Sequence, residues 1–195
     1  MTDAPQIDDC RRFKELWKEL VLARTAVPLV VVIPSMWLVA VGVWVDSNAL
    51  IIGPLIELAV FMLIFPAVVA KRGKNVHTAV AAGGGGAALI ALIGCALFET
   101  GQDGIPVLLY CMGAGMGLAE GWLEKSVATM YLGLVGGALS GAAAAKILAP
   151  VFDRWNAVAA IGLSALAAVC LHLGIGLSLA LGRWIRDLPK RRAAS

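Results

Sequence analysis

Six apolar runs, each long enough to cross a bilayer, constrain this chain more than any other feature: 25–45, 49–70, 77–98, 104–123, 127–145 and 157–181. A helix needs about 20 apolar residues to cross a hydrocarbon core of about 30 Å. The runs hold most of the 60% of residues that are hydrophobic, and the 15% that are charged fall mainly between them. A soluble domain carries about a quarter charged residues, so a soluble enzyme, a disordered chain and a disulfide scaffold are excluded. Strands crossing a membrane alternate apolar and polar residues, whereas these runs are continuous and rich in Leu, Ala and Gly. Backbone groups facing lipid must pair within their own segment, so each run is read as a helix. The expected fold is an all-α integral membrane protein, a six-transmembrane-helix bundle. The fourth run is the weakest. Without its last turn it would end at Ala119, leaving Glu120 interfacial.

Lys and Arg set the orientation. Arg11, Arg12, Lys14, Lys18 and Arg24 precede the first run, and Lys71, Arg72 and Lys74 follow the second. Lys125 follows the fourth, and Arg183, Arg186, Lys190, Arg191 and Arg192 follow the sixth. Of the 16 basic residues, only Lys146 and Arg154 fall on the other side. The excess predicts cytoplasmic termini and, for a bacterial chain, the inner membrane. The first run follows 24 mostly polar residues and is too long for a signal core, so an ordinary first span is expected. The chain divides into an interfacial segment 1–24, a membrane domain 25–182 and a basic cytoplasmic tail 183–195.

Residues 8–24 read as an N-terminal interfacial amphipathic helix. Phe13, Leu16, Trp17, Leu20 and Val21 recur on one face, with Arg11, Arg12, Lys14, Glu15, Lys18 and Glu19 on the other. Such a helix lies on the bilayer surface with its bases toward anionic lipid headgroups. Trp184, Ile185 and Leu188 give the tail a similar pattern beside Arg183 and Arg186. Both ends serve as topology anchors or, alternatively, as a docking surface.

The four cysteines, Cys10, Cys95, Cys111 and Cys170, form no C-x-x-C pair, and three lie in apolar runs as small hydrophobes. No disulfide is expected. Cys111, Met112 and Met116 offer soft ligands, but the adjacent Cys111 and Met112 point about 100° apart on a helix. Packing is the preferred reading, and neither a metal nor a cofactor is expected. Nucleic acid is not an expected partner.

Gly113, Gly117 and Gly121 in the fourth run, and Gly133, Gly137 and Gly141 in the fifth, recur every fourth residue. Such stripes pack helices closely where lipid gives no hydrophobic drive for association. Packing within one protomer is the first reading and a homo-oligomer the second. The run Gly83-Gly84-Gly85-Gly86 marks a close crossing rather than a hinge. It is no phosphate loop, because no Lys-Ser or Lys-Thr follows it.

An ionisable group inside a span is a functional hypothesis by default, because placing it there is costly. Glu57 lies about 12 Å from the outer edge at about 1.5 Å per residue. Pro54, three residues earlier on the same face, frees the Leu50 carbonyl, and with Gly53 it is read as a helix break. A carboxylate beside a freed carbonyl has the chemistry of a cation or proton site. The plainer reading is a protonated Glu57 bonded to a neighbouring helix. Glu120 and His172 lie at similar depth, roughly 22–24 Å from the outer side. They would form a proton-sharing pair if the fourth and sixth helices touch. The plainer alternative leaves them separate, with Glu120 paired to Lys125. A 3+3 inverted repeat would match Gly53-Pro54 to Gly136-Gly137, but no carboxylate in the fifth run mirrors Glu57.

Gly137-Ala138-Leu139-Ser140-Gly141 superficially resembles the Gly-x-Ser-Gly motif of rhomboid proteases. The match fails, because one residue is inserted and the serine falls in the fifth run. Counting depth puts Ser140 roughly 10 Å and His172 roughly 22 Å from the outer edge. A nucleophile and its base must lie within about 3 Å of each other. His77 and His172 are the only histidines, and no H-E-x-x-H motif occurs. No enzyme is expected. The expected function is a small channel or transporter for an ion, proton or small solute, with Glu57, Glu120 and His172 on the pathway. The alternative is a non-catalytic subunit or assembly factor of a larger membrane complex. The expected partners are the bilayer and a second copy or an unlike membrane chain.

Overall fold

The computed structural model describes residues 14–69, 104–153 and 156–192, and every element among them is helical. Residues 14–18 open as α-helix, and Glu19–Ala26 are wound as a π-helix. This passes without a turn into α1, Val27–Trp44. Then come α2 (Asn48–Val69), α3 (Gly104–Leu123), α4 (Val127–Asp153) and α5 (Ala157–Arg192). The third apolar run, with His77, Gly83-Gly84-Gly85-Gly86 and Cys95, lies outside the described residues, as do Cys10 and residues 8–13.

The helices start and stop for local reasons. Pro28 lies in the first turn of α1, where the continuous helix lacks one N–H donor. Asn156 caps α5, its Oδ1 accepting the Val158 and Ala159 N–H groups at 3.0 and 3.1 Å. Residues 45–47 and 124–126 form tight turns, each with one residue in the left-handed region: Asp46 and Lys125, both at φ 52°. Asp tolerates that region, whereas for Lys it costs about 1 kcal/mol. Lys125→Asn should therefore raise stability by about 0.5–1 kcal/mol. Thermal unfolding in detergent reads this directly, and an unchanged or lower midpoint would contradict it.

α3 and α4 pack most extensively, and α5 lies along α4. α1 joins α2 to α5, and α2 only grazes α3. Two apolar clusters hold the bundle. Met116, Ala144, Ala167, Leu171, Ile175 and Leu179 bind α3, α4 and α5 together. Val32, Met36, Val151 and Ala160 join α1 to α4 and α5, with Leu58 of α2 packed against them. Three helical stretches are long and apolar enough to cross a membrane: Arg24–Trp44, Val127–Val151 and Ala157–Leu188. These are the marks of a membrane protein.

Several boundaries differ from the sequence expectation. The fifth run was expected to stop at Lys146, yet α4 continues to Asp153 with Lys146 exposed on it. α5 runs 36 residues, about 54 Å, so the basic tail is helical through Arg192. The loss of apolar character ends a span but not a helix, and Ala, Leu, Lys and Arg all favour continuation. The described part of the N-terminal segment likewise does not end at Arg24. Gly53 and Pro54, read as a break, lie inside the continuous α2. Proline removes one helical hydrogen bond, a loss that a helix packed among neighbours can absorb.

Candidate functional site: a buried ion pair where four helices meet

The Arg24 side chain is fully buried, with 0% of the residue exposed. The residue lies in the π-wound segment Glu19–Ala26, in which the Val27 N–H donates to the Leu22 carbonyl five residues back. On this wider winding Arg24 faces the bundle. There Nη2 donates to Glu120 Oε2 at 2.5 Å and Nη1 to Oε1 at 3.5 Å, a two-pronged contact between guanidinium and carboxylate. Nη1 also donates to the backbone carbonyl of His172 at 3.4 Å. Glu120 is 4% exposed and His172 0%. Phe61 of α2 meets the His172 ring edge to face, with centroids 6.2 Å apart and planes at 78°. The π-wound segment, α2, α3 and α5 thus each contribute one side chain.

The surroundings make this pair strong. Opposite charges attract several-fold more in an apolar interior than in water. The packing beside it is also very close. A Cβ on Gly121, next to Glu120, would fall 2.6 Å from the Met130 Cα. The Thr129 hydroxyl donates to the carbonyls of Ser126 and Gly121, at 2.8 and 3.2 Å, and a Cβ on Gly182 would meet Thr129 at 2.9 Å. Just beyond, Glu124 accepts from Arg183 Nε at 2.7 Å and lies 3.8 Å from Arg186 Nη1. That outer cluster is half-exposed and adds little stability, but it fixes the extension of α5 beside the α3–α4 turn.

Arg24 therefore links the Glu120 carboxylate to the backbone carbonyl of His172, a different arrangement from a shared proton between the two side chains. Sequence reasoning missed Arg24, which was counted among the interfacial bases. The sequence offers only a weak signal: Arg24 directly abuts an apolar run on the side toward which Glu120 and His172 lie, but so does Lys71. Lys125 is exposed at its turn. Glu57 is not part of this cluster, being exposed on α2, while Pro54 is buried three residues earlier. Residues three apart point about 60° apart, so the two straddle the packing seam. A Cβ on Gly53 would meet nothing within 4 Å.

The two glycine stripes face each other. A Cβ on Gly117 would overlap the Gly133 carbonyl, one on Gly113 that of Gly137, and one on Gly141 that of Leu109. Between α4 and α5, Ser178 fills the space over Gly136 and Ser140 that over Gly174. The Ser140 hydroxyl donates to the Gly136 carbonyl at 2.6 Å. Cys111 and Met116 are buried and Met112 half-buried, and no group of three or more His, Cys, Asp or Glu suited to a metal occurs among the described residues. No protein-family model matches the chain, and neither a curated protein nor a solved structure matches it.

Proposed function

We propose that this chain is a small six-span membrane protein of transport type, moving an ion, a proton or a small solute. Its termini are cytoplasmic and its membrane is the bacterial inner membrane. Four of the five exposed tryptophans among the described residues support this placement; the fifth, Trp37, lies within the first span. Trp122 and Trp184 sit level with each other beside the Gly121–Thr129–Gly182 contact, and Trp17 and Trp44 are exposed on the continuous N-terminal helix. Trp17 and Trp44 stand roughly 35–40 Å apart along that helix, close to the thickness of a bilayer with its interfacial layers. Tryptophan favours both interfaces.

The observation that carries the functional reading is the buried Arg24–Glu120 pair beside His172. Apolar side chains of the same volume would hold the bundle at least as well, because the pair must be stripped of water. Ionisable groups within spans mark ion and proton pathways, and π-wound turns recur at functional sites. The chemistry available is a charge gate. A proton or cation arriving at Glu120 neutralises the carboxylate, weakens its hold on Arg24 and allows the π-wound segment to shift. Glu57 joins this pathway only where the pathway runs along the outer face of the protomer. That same exposed carboxylate favours a second reading, a subunit that buries Glu57 against an unlike chain.

The test is flux in liposomes reconstituted with Glu120→Gln, which keeps the shape and removes the charge. Because the amide is permanently uncharged, flux of protons or monovalent cations should change by at least about tenfold, the scale of one lost charge-assisted contact, and should lose its control by a proton or cation at this position. A folded Glu120→Gln protein with unchanged flux would remove the pair from the mechanism.

A further inference from the structure

Two charged residues lie on outward-facing helix surfaces and take no part in the buried cluster. Glu57 is exposed on α2, among the exposed Ile52, Leu55, Ile56 and Val60. Lys146 is exposed on α4, on the stripe that carries the exposed Tyr131, Val135 and Leu139. Neither makes an ion pair with another described residue. They belong to different flanks: α2 packs on α1, whereas α4 packs between α3 and α5.

They also lie at nearly the same level of the bundle. Leu58, next to Glu57, and Leu148, two residues beyond Lys146, pack against the same cluster of Val32, Met36, Val151 and Ala160. The helix ends agree. Glu57 is about 13 Å from the start of α2, and Lys146 about 10 Å from the end of α4. In the proposed topology both distances are measured from the outer side. A lysine stem can carry its ammonium toward the interface, but a glutamate at that depth has too short a side chain to follow. Glu57 therefore requires a partner within the membrane.

We infer that Glu57 of one copy pairs with Lys146 of a neighbouring copy, in a head-to-tail assembly of this chain. Opposite charges at one depth, on two different flanks, cannot meet across a twofold axis that places like faces together. They meet when each copy offers its α2 face to the α4 face of the next, and such an interface closes into a ring in the plane of the membrane when the rotation between copies divides a full turn. The exposed stripe Tyr131-Val135-Leu139 and the exposed α2 residues supply the apolar contact around the pair. Gly53 leaves open space there for a neighbouring backbone or side chain. The inference rests on the proposed membrane topology but not on transport.

The experiment therefore measures assembly and not flux. The full chain is purified in mild detergent, and its mass is determined for the wild type, Glu57→Lys, Lys146→Glu and the swapped double variant. The wild type should be a homo-oligomer. Each single reversal should shift the equilibrium toward monomer by at least about tenfold, and the double swap should restore the assembly. A monomeric wild type, single variants as assembled as the wild type, or a double swap that stays dispersed would each overturn the inference. A second measurement guards against misfolding. In a chain whose native cysteines are serine, copies carrying Glu57→Cys are mixed in membranes with differently tagged copies carrying Lys146→Cys. A short bifunctional thiol reagent should join unlike-tagged copies. Preferential joining of Glu57→Cys to itself, or to an unrelated host chain, overturns the head-to-tail pairing.

Discussion

Arg24→Ala should destabilise the bundle by about 3–5 kcal/mol, and Glu120→Ala by a comparable amount. Each substitution leaves one full charge at a site where both partners are almost completely buried, with the opposing charge gone. Arg24→Ala also removes the donor to the His172 carbonyl, which anchors the π-wound segment to α5. Unfolding in mixed micelles with increasing denaturing detergent reads the difference. The diagnostic variant is the double replacement Arg24→Met with Glu120→Leu. Filling the site with apolar side chains removes both desolvation penalties, so most of the lost stability should return. A double variant no more stable than either single would mean that the ion pair is not what the site depends on. Flux through the double variant then separates two roles. A purely structural pair predicts recovery of both stability and transport, whereas the proposed gate predicts a stable protein that does not transport.

How far the fold can be read from the sequence depends on which part is local. Apolar run lengths and turn residues are one-dimensional, and α2 to α5 begin within one residue of the corresponding runs, whereas the first helix is already wound at Lys14, well before its run. Where helices end is less legible, because Lys146 and Arg183 mark the limit of apolar character but not of helical propensity. The site is less legible still. Glu120 and His172 stand out as costly groups inside apolar runs, and each must find a partner. For Glu120 that partner is 96 residues away, in a segment whose other bases are consistent with a simple anchor, and the same guanidinium reaches the backbone carbonyl of His172, 148 residues on. Arg24 faces inward from a π-wound segment, a backbone state that no side-chain pattern in residues 19–26 announces. For Glu57, sequence gives the depth but not the direction. The 60° between Pro54 and Glu57 decides whether a carboxylate looks into the bundle or out of it, and only the packing of α2 on α1 resolves that angle.

The glycine seam supplies the other large effect. Gly117→Leu or Gly133→Leu should abolish the α3–α4 packing, because even the first carbon of the side chain would overlap a backbone carbonyl on the facing helix. A flexible side chain can rotate out of such an overlap, but a backbone cannot, so the helices must separate. Separation forfeits the close backbone contact that holds them together in lipid. Overpacking a tight core already costs about 1–3 kcal/mol, and a clash with backbone exceeds that range. The smaller change Gly117→Ala carries the same overlap and should also destabilise, against the usual gain of about 1 kcal/mol for alanine over glycine in a helix. Gly53 and Gly162 are the internal controls, since a Cβ at either would meet nothing within 4 Å. Gly162→Ala should therefore show the ordinary helix gain, and Gly53→Ala should too in dispersed monomers. Because Glu120 stands beside Gly121 at the end of the same seam, prising α3 from α4 also moves the carboxylate away from Arg24. Gly117→Leu should thus lose transport along with stability, whereas Gly162→Ala should keep both. Equal stability of Gly117→Ala and Gly162→Ala would show that the helices are not in backbone contact at this seam.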